Sequence, residues 1–305
     1  MAGFHDLNVP WTKDTKELQR TVAFLDELGY DVVALTYTYP AGRLPADLAS
    51  PVPHPLPFPT PSRLRLLRRC NIFLTDSASN FRIPQLQQHY DLIAARPTDE
   101  RTLQQACQSL DVDIISLDLT QKFEKHFKYP MLGTAVSRGI KIELCYSQAI
   151  LSSDPTAKRN LISNAVQLIR VTRGRGLMFS SEAKSVLGVR APSDVINLAS
   201  VWGLGAERGK DGLTKEPRSV VEFARLKRQS FKGIVDVVYG GEKPPAPEVE
   251  KEKQTPKDQT NPLKDQKRKA RESMEGTPVS QSGEEKPISK RQMKRNKKAK
   301  TGAEQ

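Results

Sequence analysis

The chain has 305 residues, 37% of them hydrophobic, and its 48 Lys and Arg against 35 Asp and Glu leave a net charge of +13. That length accommodates one α/β barrel of about 200–250 residues with chain to spare. No window reaches the ~18 apolar residues of a membrane span, and no basic-then-apolar leader opens the sequence, so a soluble, non-secreted protein without a membrane partner is expected. Cys70, Cys107 and Cys145 are far apart and form no C-x-x-C, which argues against a zinc site or a disulfide framework and for a reducing compartment. The positive charge favours polyanionic partners, nucleic acid first.

In chain order, short apolar runs alternate with segments of helical period, the sign of βα units around a parallel sheet. The first strand is expected over residues 4–9, in "FHDLNVP". After it Leu18, Val22, Leu25 and Leu28 form a helical stripe, with Asp14 and Glu17 spaced as a cap and its reciprocal partner and Gly29 at the stop. A second strand covers 31–37. The stretch 40–61 then holds eight of the 22 prolines and can be neither helix nor paired strand, so it reads as an extended inserted loop.

Further strands are expected at 70–75, 91–95, 113–119, 140–146 and 176–179. The helices between them carry Leu103, Ala106, Cys107 and Leu110 behind the cap candidate Thr98, then Leu161, Ala165, Leu168 and Ile169 behind Asp154-Pro155, then Val195, Leu198, Ala199 and Trp202. The last helix, 217–230, sets Arg218, Arg225 and Arg228 on one side, with Lys232 continuing the stripe, and points Phe223 and Leu226 toward a core. The fold class expected is α/β, a TIM-like barrel of about seven strands, over residues 1–241. Residues 242–305, with 17 Lys and Arg against 11 Asp and Glu, read as a disordered basic tail.

The first strand raises the question of chemistry. A hydrolytic metal barrel often ends this strand in Asp-Leu-His-x-His, because two imidazoles one residue apart point the same way. Here Asn8 and Pro10 stand at those two positions. Of the four histidines, His5, His54, His89 and His126, only His5 lies on a strand where a metal could be held. Asp6, Asp118 and Glu143 are strand carboxylates, and Glu143 is best read as paired with Lys141 or with an arginine inside the barrel, since an unpaired charge there is costly. No phosphate-binding loop, dinucleotide fingerprint or nucleophile elbow occurs. In "TRGRGLMF", Arg173 and Arg175 flank a flexible Gly174 and suit phosphate contact through their planar forks, an ordinary solvated loop being the plainer reading.

Three stretches resemble one family: "DLNVP" at 6–10, "SRGIKIELCYS" at 137–147 and, most specifically, "RGLMFSSEAKSVLGVRAPSDVINLASVWGL" at 175–204. They are similar to the thirty-kilodalton barrel protein subunits of eukaryotic and archaeal ribonuclease P, shared in eukaryotes with ribonuclease MRP. The likeness spans residues 4–239 and leaves out the proline-rich loop and the tail. It implies a barrel like that of the polymerase-and-histidinol-phosphatase phosphoesterases, with Asn8 and Pro10 as replaced ligands, no metal or other cofactor, and no catalytic residue of its own.

The implied partners are ribonuclease P RNA and MRP RNA, a small α/β subunit and other proteins of the particle, with precursor tRNA met indirectly during removal of its 5′ leader. Arg138, Arg173, Arg175 and Arg190 lie in or beside the matching blocks and become RNA-contact candidates, together with Arg218, Arg225 and Arg228. Ser180 and Ser181 are expected to cap a strand end or touch RNA rather than act as nucleophiles. The tail clusters "KDQKRKAR" and "KPISKRQMKRNKKAK" fit nuclear import, with the nucleolus as destination. The rival reading is a metal-dependent phosphoesterase of the same barrel type with its own active site.

Overall fold

The computed structural model describes residues 3–42, 44–75, 82–123 and 127–229. The expected tail, the domain boundary at 241, His126 and Lys232 lie outside the described residues. Seven strands follow one another in a single parallel sheet: β1 (Phe4–Pro10), β2 (Tyr30–Thr38), β3 (Arg65–Leu74), β4 (Leu92–Pro97), β5 (Ile114–Ser116), β6 (Lys141–Cys145) and β7 (Leu177–Ser180). Each pairs with its neighbour in chain order, and the sheet curls into a nearly closed barrel. The seam between β7 and β1 is not a ladder. It is bridged by the Glu182 amide donating to the Asn8 carbonyl (2.8 Å) and by the Ser181 amide donating to Asp6 Oδ1 (3.1 Å).

The helices arise from local signals. Asp14 accepts from the Lys16 and Glu17 amides and starts α1 (Thr15–Glu27), whose Leu18, Val22 and Leu25 are buried. Gly29 follows at φ +87°, a conformation that a side chain would strain, and turns the chain into β2. Asp154 caps α6 (Pro155–Thr172) through the Thr156 amide at 2.8 Å. The remaining outer helices are α2 (Ile83–His89), α3 (Glu100–Gln108), α4 (Tyr129–Ser137), α5 (Ser147–Leu151), α7 (Pro192–Val201) and α8 (Ala206–Asp211). Strands covered on both faces read as apolar runs, and β4 is buried along its whole length.

The last helix, α9 (Lys215–Gln229), lies across the barrel's end. Its Val220, Val221 and Ala224 share one apolar cluster with the strand residues Leu7, Ala34, Leu67, Leu92, Ala94, Ile114 and Met178. Glu216 pairs with Lys141, the first residue of β6, at 2.5 Å, and Arg228 pairs with Asp113, just before β5, at 2.7 Å. The helix therefore stoppers the N-terminal mouth. Full burial is worth about 1.5–3 kcal/mol for each valine.

Several expectations need correction. β3 begins at Arg65, five residues earlier than read, which puts Arg68 and Arg69 inside the strand, while β5 shrinks to Ile114–Ser116. α3 is capped by Asp99; the Thr98 hydroxyl instead donates to the Leu74 carbonyl at 3.0 Å. Phe223 is 42% exposed, because Val220, Val221 and Ala224 form the inward face of α9. Residues 40–61 carry no helix or strand among those described, yet the segment is packed. Val52 and Phe58 join Val9, Leu18 and Leu35 in one cluster, and the Tyr39 hydroxyl donates to the Leu48 carbonyl.

Candidate functional site

Strand alternation sends Cys70, Ile72, Ile142 and Leu144 outward to the helices and Arg69, Asn71, Glu143 and Cys145 into the barrel. There Arg69 meets Glu143 as a two-pronged pair, Nη1 to Oε1 at 2.5 Å and Nη2 to Oε2 at 2.6 Å, with both side chains fully buried. Arg69 Nη1 also donates to the Leu7 carbonyl at 2.7 Å and Nε to Asn71 Oδ1 at 2.9 Å. The Asn8 amide donates to Glu143 Oε2 at 3.2 Å and to Cys145 Sγ at 3.4 Å. The β1–β2 register shifts between Asp6 and Val9, which lets the consecutive Leu7 and Asn8 both reach the interior. Asn8 thus faces the carboxylate of β6, whereas Pro10 ends the strand.

Burial alone would raise the Glu143 pKa, but the adjacent guanidinium outweighs it and holds the carboxyl at about 2. A carboxylate so acidic, with both oxygens occupied, is no general base. Asp6 goes the other way: burial raises its pKa, against the opposing hydrogen bonds from Ser181 and Asn8. Burial also lifts the Cys145 thiol well above its ordinary value, which disfavours the thiolate. His5 sits near the stoppered end, its Nδ1 2.9 Å from the Gly3 carbonyl and its amide bonded to Leu213, with burial lowering its pKa. That is the end opposite the one where barrels hold metals and substrates. Among the described residues no group of three or more His, Cys, Asp or Glu is placed to hold a metal.

Nearer the open mouth Arg96 pairs with Glu182, which also accepts from the Gln148 amide at 3.3 Å. Beside this pair lies a cavity of about 540 Å³ reached by Phe73, Arg101, Lys122 and Phe123. Its Asp118 carboxylate is taken by the Thr120 hydroxyl (2.6 Å) and the Gln121 amide (3.1 Å). Ser180 ends β7 and Ser181 follows it, both buried; the Ser181 hydroxyl accepts from the Ala183 amide at 3.3 Å. Their burial favours strand capping over RNA contact.

The arginines singled out from sequence fall into two groups. Arg138 donates to the Cys107 carbonyl (2.8 Å) and the Leu110 carbonyl (2.6 Å), closing the end of α3. Arg228 is bound to Asp113, and Arg225 to Glu222 at 3.1 Å. Arg190 donates to the Leu187 and Val189 carbonyls, while its own backbone is held between the Tyr30 and Tyr146 hydroxyls. Arg173, Arg175 and Arg218 are exposed and form no ion pair among the described residues. Arg69, Asn71 and Arg96 were not legible beforehand. The signal for Arg69 and Asn71 was "RLRLLRRCNIFL", a strand-like run with arginines inside it, and that for Arg96 was the arginine at the end of the apolar run "DLIAARP".

Fold and interior define a TIM-like α/β barrel whose inward carboxylate is locked to an arginine. The chain belongs to the family described as RNase P subunit p30, whose model matches residues 3–229. It is 36% identical over 236 residues to the probable ribonuclease P protein subunit 3 of Schizosaccharomyces pombe, covering 76% of this chain and 98% of that protein. Identity to the ribonuclease P protein subunit p30 of Mus musculus is 32% over 254 residues, 78% of this chain and 91% of the mouse one. In fold it is similar to a chain from a cryo-EM structure of archaeal ribonuclease P with mature tRNA, with TM-score 0.57 and 13% identity over 80% of this chain and all of that one.

Proposed function

We propose that the chain is a non-catalytic protein subunit of ribonuclease P, holding RNA and neighbouring subunits while the RNA carries out removal of the 5′ leader from precursor tRNA. The observation that carries this reading is the Arg69–Glu143 pair. It occupies the interior with a bonded, neutral cluster, so function falls to the outer surface. Family membership supports ribonuclease P RNA, the related MRP RNA and a small α/β subunit as partners. The exposed Arg173, Arg175 and Arg218 supply phosphate contacts, whose strength depends on salt. Arg138, Arg190, Arg225 and Arg228 act mainly by shaping the surface from which those contacts are made. The two basic clusters at 264–271 and 286–300 support a nuclear, nucleolar address.

The test is to isolate the tagged full chain from cells at moderate salt, sequence the RNA that accompanies it and assay cleavage of precursor tRNA. One abundant structured RNA, with leader-cleaving activity abolished by nuclease pretreatment, is the expected result. Metal-dependent hydrolysis that survives the pretreatment with no RNA enriched overturns the reading.

A further inference from the structure

Beyond the turn that carries Arg173 and Arg175, an open groove of about 780 Å³ runs between the end of α6 and the connection from α7 to α8. Arg170 lines it from α6, Arg173 from the turn that follows and Arg208 from α8, all three exposed. Glu207 shares the groove without an ion pair to any of them among the described residues. The floor is apolar and closed, with Trp202 at 2% and Leu204 at 4% exposure.

The groove is close-built. Gly174 sits at φ +71°, and a Cβ there would lie 2.4 Å from Leu204 Cδ1, 3.1 Å from Arg208 Cδ and 3.4 Å from Arg208 Nη1. The Arg208 side chain therefore lies across the Arg173-Gly174-Arg175 turn. Several cations elsewhere are matched to acids: Arg63 with Asp31, Arg96 with Glu182, Lys141 with Glu216, Arg228 with Asp113. Here Arg170, Arg173 and Arg208 gather with no acid bonded to them among the described residues, an arrangement that gains energy when an anion enters.

We infer that this groove seats the sugar–phosphate backbone of RNA, with Arg170 and Arg208 completing the contact that Arg173 and Arg175 begin. The inference rests on the ribonuclease P reading above and adds a location and two residues to it. Guanidinium forks match phosphate oxygens in pairs. The buried indole of Trp202 leaves no exposed ring on which a base could stack, so the contact is to backbone and is independent of sequence.

The test compares the full chain with its Arg170→Ala/Arg208→Ala variant, both binding ribonuclease P RNA and an unrelated RNA duplex across a series of salt concentrations. The variant is expected to bind both RNAs more weakly and to show a log K against log salt slope shallower by about 2, one for each phosphate that is no longer neutralised. Its melting temperature stays that of the parent, and Arg170→Lys/Arg208→Lys keeps the parent's slope. If the parent binds and the alanine variant binds with the same slope, the groove is not the RNA seat, while the ribonuclease P reading stands. A variant that keeps its RNA affinity but no longer brings down a co-purifying protein makes the groove a protein interface and likewise overturns the inference. If the parent itself binds neither RNA, both the reading and the inference fall.

Discussion

The barrel interior and the α6–β7 turn hold the same kind of side chain in opposite circumstances. Arg69 is fully buried and bonded to Glu143, Asn71 and the Leu7 carbonyl; Arg173 and Arg175 are exposed and bonded to no acid among the described residues. In the first place an arginine cancels a charge that would otherwise be intolerable. In the second the positive charge faces solvent, open to an anion. Where the charge is neutralised separates these two settings, and residue type alone does not.

Breaking the interior pair has the largest expected effect. Arg69→Ala strands a buried carboxylate and should cost about 3–5 kcal/mol in urea unfolding, whereas Arg69→Met combined with Glu143→Leu should return most of that loss. Acid probes the same pair without mutation. Because the Glu143 pKa is depressed from 4.5 to about 2, its contribution of roughly 3 kcal/mol is complete above pH 4.5 and disappears as pH falls to about 2. Glu143→Gln should flatten that acid limb of the stability curve.

Arg138→Ala is the intermediate case, a loss of about 1–2 kcal/mol from the unbonded carbonyls of Cys107 and Leu110, with RNA affinity measured by filter binding unchanged. An affinity loss without a stability loss would move Arg138 into the outward group. The smallest change in stability, within about 0.5 kcal/mol, is expected for Arg173→Ala/Arg175→Ala, which should nonetheless weaken RNA binding and flatten its salt dependence. Unchanged binding at two salt concentrations removes both residues from the interface.

Much of this was readable from the chain because the signals are local. The seven strands, the Asp14 and Asp154 caps and the Gly29 stop each depend on a few neighbouring residues, and each appears in the fold. The Glu143 pairing was legible in kind, since a charge on an inward face needs a partner. Its partner was not, because Arg69 is 74 residues away and its strand starts before the apolar run that marks it. Helical period read Arg218, Arg225 and Arg228 as one stripe, of which Arg218 is exposed and Arg228 is largely covered. It could not say that Arg228 finds Asp113 across 115 residues, or that Phe223 stays on the outside of a helix that stoppers a barrel.

That stopper also sets an order of events during synthesis. The apolar well lined by Leu7, Ala34, Leu67, Leu92, Ala94, Ile114 and Met178 is made by strands that emerge from the ribosome before residues 215–229 do. Until α9 arrives, the nascent chain presents this well uncovered, a surface for chaperones or for mispairing with another chain. Completion of the domain is therefore a late, single act, and a chain cut short before residue 215 carries its stickiest surface exposed.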